Sequence, residues 1–261
     1  MILAADNLSA ARPSVRRALE RRDAEFVADL CRRAQQAGAA WLDLNPGYVR
    51  PAERAEVWRF LVQTAERACS LKLMLDAPEA ETLELALSFC SRPPVLNMAT
   101  AEPGRLGPVL DIAAAHGVEV VAATMTATVP SDLEGRLALA AEIAAAAAAR
   151  GISGERLILD PMVMPLALAG GERHAAAVIA FLRALGNLFD PPPRSLIALS
   201  NLTTASAGAP SGFAAGPFLA AAWGAGVSVV MLDVFRPEIL RVARLCRVFG
   251  GERVFAPAEY Q

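Results

Sequence analysis

The chain has 261 residues and a formal net charge of −2 at pH 7, and 54% of its residues are hydrophobic. Its arginines are spread along the chain, so it lacks the concentrated basic face that a nucleic-acid partner requires. The longest apolar run, residues 137–149, is shorter than a bilayer span, and no basic stretch precedes an apolar segment at the start. We therefore expect a cytoplasmic protein that binds neither nucleic acid nor a membrane.

Eight short apolar runs alternate with longer segments rich in alanine and leucine. Continuous rather than alternating hydrophobicity is typical of parallel strands that are covered on both faces. The predicted strands are residues 1–4, 40–44, 71–75, 94–96, 118–123, 157–159, 196–200 and 227–232. The predicted helices are residues 24–37, 51–68, 79–89, 103–115, 131–149, 172–185, 214–223 and 237–248.

This alternation predicts one α/β domain over residues 1–261, folded as a (β/α)₈ TIM barrel. A doubly wound open sheet is the alternative. It should show a glycine-rich turn after the first strand, and residues 5–9 (ADNLS) contain no glycine.

Polar side chains stand at almost every predicted strand end, where the active sites of such barrels lie. Aspartate and asparagine also cap helices and begin turns, so a single position proves little. Polar residues follow eight predicted strands, however, and no lysine, arginine or histidine stands among them. The candidate mouth residues are Asp6, Asn7, Ser9, Asp43, Asn45, Asp76, Asn97, Thr124, Thr126, Asp160, Asn201, Thr203 and Asp233.

The chemistry of this set favours a flat heterocycle. A phosphate site needs cations and backbone amides, and no cations converge in the sequence. Clustered carboxylates suit a hard metal ion, and that alternative stays open, but alternation with carboxamides favours a site without bound metal. A carboxylate accepts two parallel hydrogen bonds from a ring N–H and its neighbouring amine. A carboxamide matches a ring edge that carries both a donor and an acceptor. A pterin presents both edges.

The strand ends also carry a family resemblance along the whole chain. The motifs are residues 42–47 (LDLNPG), Asp76 after Leu75, Asn97 after Leu96, residues 159–165 (LDPMVMP) and residues 199–203 (LSNLT). Together they resemble the methyltetrahydrofolate:corrinoid methyltransferases, a family of the pterin-binding barrels that also include dihydropteroate synthase. The resemblance implies that Asp76, Asn97 and Asp160 bind the pterin ring. It implies that Asn201 contacts the pterin near N5 and stabilises the transition state.

The reaction implied by the resemblance transfers the N5-methyl group of methyltetrahydrofolate, or of a related tetrahydropterin, to Co(I) of a corrinoid. The corrinoid is held by a separate partner, such as a corrinoid iron–sulfur protein or the corrinoid protein of a demethylase. The resemblance also implies a homodimer.

The chain departs from the family pattern around the rim of the barrel. At the end of the first strand, family members commonly have Gly-Glu-Arg-x-Asn, where this chain has Asp6, Asn7 and Ser9. Thr126 replaces an asparagine, and Thr204 and Ala209 stand where a glutamine and an arginine often meet the folate tail. Two alternatives follow: a pterin-binding or assembly subunit without catalysis, and dihydropteroate synthase, which would need a basic motif after the seventh strand.

Overall fold

A closed barrel of eight parallel strands forms the centre of the computed structural model, which describes residues 1–204 and 211–257. Each strand pairs with the next one along the chain, and the first strand pairs with the eighth to close the ring. The predicted barrel and the predicted strand order are confirmed. Strands β1 to β8 are Ile2–Ser9, Trp41–Asn45, Lys72–Asp76, Val95–Thr100, Glu119–Ala123, Leu157–Asp160, Arg194–Ala198 and Val229–Leu232.

Two strands extend several residues beyond the ends of the apolar runs that predict them. Strand β1 extends to Ser9 and β4 extends to Thr100, so the polar residues near their ends belong to the strands. Both strands contain an irregularity in register, between Ala5 and Leu8 in β1 and between Asn97 and Ala99 in β4. Such bulges redirect side chains and often lie beside active sites.

Apolar side chains fill the barrel on both sides of its strands, which explains the continuous hydrophobic runs. One layer fills the barrel interior, and the outer faces of the strands pack against the helices. Branched and bulky side chains are the usual filling of such an interior. The buried interior residues are Ala4, Trp41, Met74, Val95, Val121, Ile158, Leu196, Val229 and Met231.

The helices lie outside the barrel. Asp132 caps the helix that begins at Leu133, because its side chain accepts a hydrogen bond from the backbone amide of Gly135 at 2.8 Å. In the described part of the chain, every helix is too short or too polar to cross a lipid bilayer. Helices α1 to α9 are Pro13–Arg21, Ala24–Gln36, Arg54–Ala68, Ala80–Leu87, Leu106–His116, Leu133–Ala148, Gly171–Leu188, Ser211–Gly224 and Pro237–Phe249, with short 3₁₀ turns at Pro51–Glu53 and Leu199–Thr203.

Helix α1 is absent from the sequence prediction. Its buried residues Val15, Ala18 and Leu19 follow helical spacing, but they are few and stand among arginines. The helix ends at Arg21, because the next residue, Arg22, has a left-handed conformation (φ 53°). This helix matters for the site because it brings a basic surface to the end of β1.

A charged cluster closes the N-terminal end of the barrel. The carboxylate of Glu119 on β5 accepts hydrogen bonds from Lys72 on β3 and Arg194 on β7. Both cations also lie 5.6 Å from the ring centroid of Trp41 on β2. Because this end is filled, the large polar cavity of the barrel lies at the opposite, C-terminal end.

Candidate active site

A cavity of about 390 Å³ opens at the C-terminal ends of the strands. We call it the mouth cavity. Residues from every strand except β5, and from the 3₁₀ turn after β7, line it. Eight predicted site residues meet here, namely Asp6, Ser9, Asp43, Asn45, Asp76, Asn97, Asp160 and Asn201.

Three carboxamides each donate a hydrogen bond to a carboxylate on another strand or its end. Asn45 donates to Asp76 at 2.7 Å, and Asn7 donates to Asp233 at 2.5 Å. The third pair, Asn97 and Asp43, is longer at 3.5 Å, the upper limit for a hydrogen bond. Asn97 is therefore the least firmly held of the three amides and the most available to a ligand.

Asp160, at the end of β6, is an almost fully buried carboxyl group. Burial raises its pKa to about 7, although the backbone amide of Met162 and the positive charge of Arg136 lower it. The Met162 amide donates to one carboxylate oxygen at 2.7 Å, which fixes the orientation of the group. At neutral pH Asp160 is thus divided between its protonated and ionised forms, and a ligand that donates hydrogen bonds would favour the ionised one.

Two further carboxyl groups of the cavity have raised pKa values. Burial raises the pKa of Asp76 to about 6, against the hydrogen bond from Asn45, which lowers it. Burial, followed by the charges of Asp76 and Asp6, raises the pKa of Asp43 well above its usual range. Among residues 1–204 and 211–257, no three His, Cys, Asp or Glu side chains form a group able to hold a metal ion.

Arg136 on α6 is a fully buried cation behind β6. Its guanidinium donates to the backbone carbonyls of Pro130 at 3.0 Å and Met162 at 3.1 Å, and also to that of Pro161. It also contacts Nδ1 of His174 at 2.9 Å. Burial lowers the pKa of Arg136 to about 10, so it remains charged at neutral pH. The sequence around Asp160 offers no cationic partner; Arg136 supplies one from another element.

Arg12 is a cation at the mouth itself, where the sequence predicts none. It follows β1, lines the cavity, and bonds Asp6 at 3.2 Å and Asp233 at 3.1 Å. Burial raises the pKa of Asp6, although Arg12 lowers it. At Asp233 burial also raises the pKa, but the hydrogen bonds from Phe235, Asn7 and Arg12 bring it below its usual value. The expectation of a mouth without cations is wrong.

The comparisons with known proteins agree with this geometry. The sequence profile described as "pterin binding enzyme" matches residues 10–242. The chain belongs to this family. It is also 26% identical over 178 residues to methylcorrinoid:tetrahydrofolate methyltransferase of Eubacterium limosum. That match covers 67% of this chain and 64% of the relative, so the chain spans less than two thirds of the relative's length.

Solved structures similar to this pterin binding enzyme share its fold. Dihydropteroate synthase of Yersinia pestis, in complex with a sulfonamide drug, superposes with a TM-score of 0.71 at 16% identity, covering 97% of this chain and 94% of that chain. The 7,8-dihydropteroate synthase of Vibrio fischeri gives 0.70 at 15% identity, covering 96% and 93%. At this identity the likeness shows the barrel fold alone.

Thr124, Thr203 and Asp233 are three of the five predicted mouth residues that do not line the mouth cavity, together with Asn7 and Thr126. Thr124 is fully buried, and its hydroxyl donates to the backbone carbonyl of Asp160 at 3.3 Å. The hydroxyl of Thr203 donates to the carbonyl of Ser200 at 3.2 Å. Asp233 lies beside the cavity, in the pair with Arg12. These three side chains support neighbouring elements, as capping and turn residues do.

The rim positions at which this chain departs from the family pattern differ in whether they line the mouth cavity. Asn7 is buried in its contact with Asp233, and Thr126 lies outside the cavity wall, whereas Thr204 lines it. Ala209 lies outside the described residues. The apolar part of the wall is not among the predicted site residues, because methionine and alanine in or beside a strand are typical of the core. Those residues are Met98, Met162, Ala198 and Met231.

Proposed function

We propose that this pterin binding enzyme transfers a methyl group between N5 of a tetrahydropterin and the cobalt of a corrinoid carried by a partner protein. Methyltetrahydrofolate is the first candidate for the pterin. One observation carries the proposal: Asp76, Asn97, Asp160 and Asn201, which come from four different parts of the chain, line one cavity. The family and the printed name of the E. limosum relative support it.

Ring recognition is assigned to Asp160, Asp76 and Asn97. An ionised carboxylate accepts two parallel hydrogen bonds from the N3–H and 2-amino group of a pterin, and Asp160 is oriented for this by the Met162 amide. Asp76 is held by Asn45 through one oxygen, which leaves its other oxygen to a second ring donor. Asn97 offers both a donor and an acceptor to the mixed edge of the ring.

Asn201 is assigned to N5, the atom from which the methyl group leaves. When the N5–methyl bond breaks, its electron pair stays on nitrogen and N5 must gain a proton or a strong hydrogen bond. A carboxamide can stabilise this developing charge without titrating. Within the described residues, the carboxamide of Asn201 has no hydrogen-bond partner, so its N–H groups are available to a ligand.

The two directions of transfer use the same groups. The name of the E. limosum relative describes transfer from a methylcorrinoid to tetrahydrofolate. The family that the sequence motifs resemble transfers the methyl group in the other direction, from methyltetrahydrofolate to the corrinoid. The transition state is common to both, because each direction is the reverse of the other. The corrinoid supplies a nucleophilic Co(I) or the methyl group bound to cobalt; the chain supplies the pterin site.

The test combines binding and transfer. We expect saturable binding of 5-methyltetrahydrofolate in a calorimetric titration, and formation of methylcobalt absorbance when a reduced corrinoid protein is added. The reverse reaction, from methylcorrinoid to tetrahydrofolate, is measured with the same components. Binding with no transfer in either direction would support the alternative of a binding subunit without catalysis. Absence of both binding and transfer would contradict the proposal and that alternative together.

A further inference from the structure

Two of the four cysteines of the chain meet in the helical layer outside the barrel, and both are free thiols. Cys31 lies on α2, and Cys69 directly follows α3, three residues before β3 begins. We call them the dithiol pair. Their side chains share a hydrogen bond. Cys31 is fully buried and Cys69 is 8% exposed, so only Cys69 is open to a small molecule from solvent. Neither residue lines the mouth cavity.

Two further hydrogen bonds fasten the segments that carry the dithiol pair. Gln35 lies four residues after Cys31, and residues at this spacing share one face of a helix. The side-chain oxygen of Gln35 accepts hydrogen bonds from the backbone amide of Ser70 at 2.7 Å and from its hydroxyl at 3.0 Å. Ser70 is the residue after Cys69. Two cysteines can be bridged only where the backbone already brings their side chains together, and this contact between α2 and the end of α3 does so.

The surroundings of Cys69 favour its thiolate, which is the reactive form of a thiol. The hydrogen bond from Cys31 lowers the pKa of Cys69, and the charge of Arg92 lowers it further, although burial raises it. Arg92 is held in place because its guanidinium donates to the backbone carbonyl of Cys69 at 3.1 Å. The shared hydrogen bond and burial raise the pKa of Cys31. The pair thus joins an accessible thiolate to a buried thiol that keeps its proton.

We propose that hydrogen peroxide converts the dithiol pair into a reversible disulfide that fastens α2 to the end of α3. The Cys69 thiolate attacks one peroxide oxygen and becomes a sulfenic acid. The O–O bond breaks, and the other oxygen leaves as hydroxide, which takes up the proton that Cys69 released. The Cys31 sulfur then attacks the Cys69 sulfur, the S–O bond breaks, and the Cys31 proton leaves with the hydroxyl group as water. The two sulfur atoms are oxidised by two electrons, and the peroxide is reduced to two waters.

The disulfide should stabilise the fold. A cross-link that closes the loop of residues 32–68 restricts the unfolded chain far more than the folded one. We expect the midpoint of thermal unfolding to rise by about 5–15 °C after oxidation. A small dithiol reductant should return the midpoint to its original value, because thiol–disulfide exchange reverses the bond.

The experiment treats the unaltered protein with hydrogen peroxide, blocks the remaining thiols by alkylation, and maps the linked peptides by mass without reduction. We expect one linked pair, containing Cys31 and Cys69, and the loss of two of the four free thiols. Cys69→Ser should form no link. Cys90→Ser is the matched control and should link as the unaltered protein does. Cys90 also interacts with the charge of Arg92, but burial raises its pKa to about 12.

Several outcomes would overturn the inference. Alkylation of all four thiols after the peroxide treatment would show that the pair does not react. Oxidation of Cys69 to a sulfinic acid without a link to Cys31 would show that the buried thiol does not reach it. A link that includes Cys90 or Cys246, or one between two chains, would assign the reaction to other thiols. An unchanged unfolding midpoint in the linked protein would contradict the fastening of α2 to α3. The mapping uses the unaltered protein, so the result stands whether or not Cys69→Ser folds.

Discussion

The buried guanidinium of Arg136 holds the two backbone carbonyls that directly follow Asp160, those of Pro161 and Met162. The same turn presents the Met162 amide to the Asp160 carboxylate at 2.7 Å. Arg136 therefore acts on Asp160 in two ways: it fixes the turn that orients the carboxylate, and its charge lowers the pKa that burial has raised. It is a positioning residue, because it does not line the mouth cavity itself.

Replacing Arg136 with methionine should shift the pH dependence of pterin binding. Without the positive charge, the pKa of Asp160 should lie above its present value of about 7. The proposed function requires ionised Asp160 for pterin binding, so the affinity should begin to fall at a higher pH when the solution is acidified. Calorimetric titrations of 5-methyltetrahydrofolate between pH 6 and 9 measure this shift.

Arg136→Lys is the control for that experiment. Lysine keeps the charge but loses most of the hydrogen bonds to the carbonyls, so stability should fall in both variants while the pH profile moves mainly in Arg136→Met. The charged groups that act on Arg136 are Asp160 and Asp132, and its neighbour His174 has a pKa that burial, Arg136 and Arg173 lower. An identical pH profile in Arg136→Met and the unaltered protein would show that the arginine is only structural.

Asp160→Asn should stabilise the fold while it abolishes tight pterin binding. Folding raises the pKa of Asp160 from 3.8 to about 7, so between these values the folded state holds a proton that the unfolded chain has released. The stability due to this group is present below pH 3.8 and is lost as the pH rises to 7. Urea unfolding should show Asp160→Asn gaining about 3 kcal/mol more at pH 8 than at pH 5, because two pH units separate pH 5 from the folded pKa of about 7. Equal gains at both pH values would contradict the raised pKa.

Glu119→Gln should weaken the fold and leave the mouth unchanged. The substitution removes the carboxylate that Lys72 and Arg194 share at the closed end of the barrel. We expect a loss of about 1–2 kcal/mol in urea unfolding, with unaltered pterin affinity. Glu142→Gln, on the exposed face of α6, is the matched control and should change stability by less than about 0.5 kcal/mol. A weaker pterin affinity in Glu119→Gln would contradict the separation of the two ends.

Much of the fold can be predicted from local patterns. The eight strands are continuous apolar runs, and the polar residues that end them mark the mouth of the barrel. Asp76 and Asp160 end their strands in the structure as the pattern predicts. Parallel strands in one closed barrel all end at the same side, so the fold alone brings these polar residues together.

The remaining features depend on contacts between distant segments. Arg136 lies in an alanine-rich helix, and its partners on the β6 turn are 25 and 26 residues away. Arg12 reaches Asp233 only because β1 pairs with β8, across 221 residues of sequence. The sequence pattern predicts Thr124 at the mouth because any hydroxyl, carboxylate or amide at a strand end fits the pattern. Its burial against β6 is decided by packing.

The central claim, that this site transfers a methyl group at N5, is tested most directly by Asn201→Ala in single-turnover kinetics. Rapid mixing with a reduced corrinoid protein follows the loss of Co(I) absorbance, and calorimetry on the same protein gives the affinity for 5-methyltetrahydrofolate. The Asn201 amide should stabilise the transition state more than the bound substrate, and only such differential contacts raise the rate. We predict that transfer slows by about 10²–10³ while pterin affinity changes little. An unchanged transfer rate in a folded variant would contradict the role of Asn201 and the reaction assigned to this site.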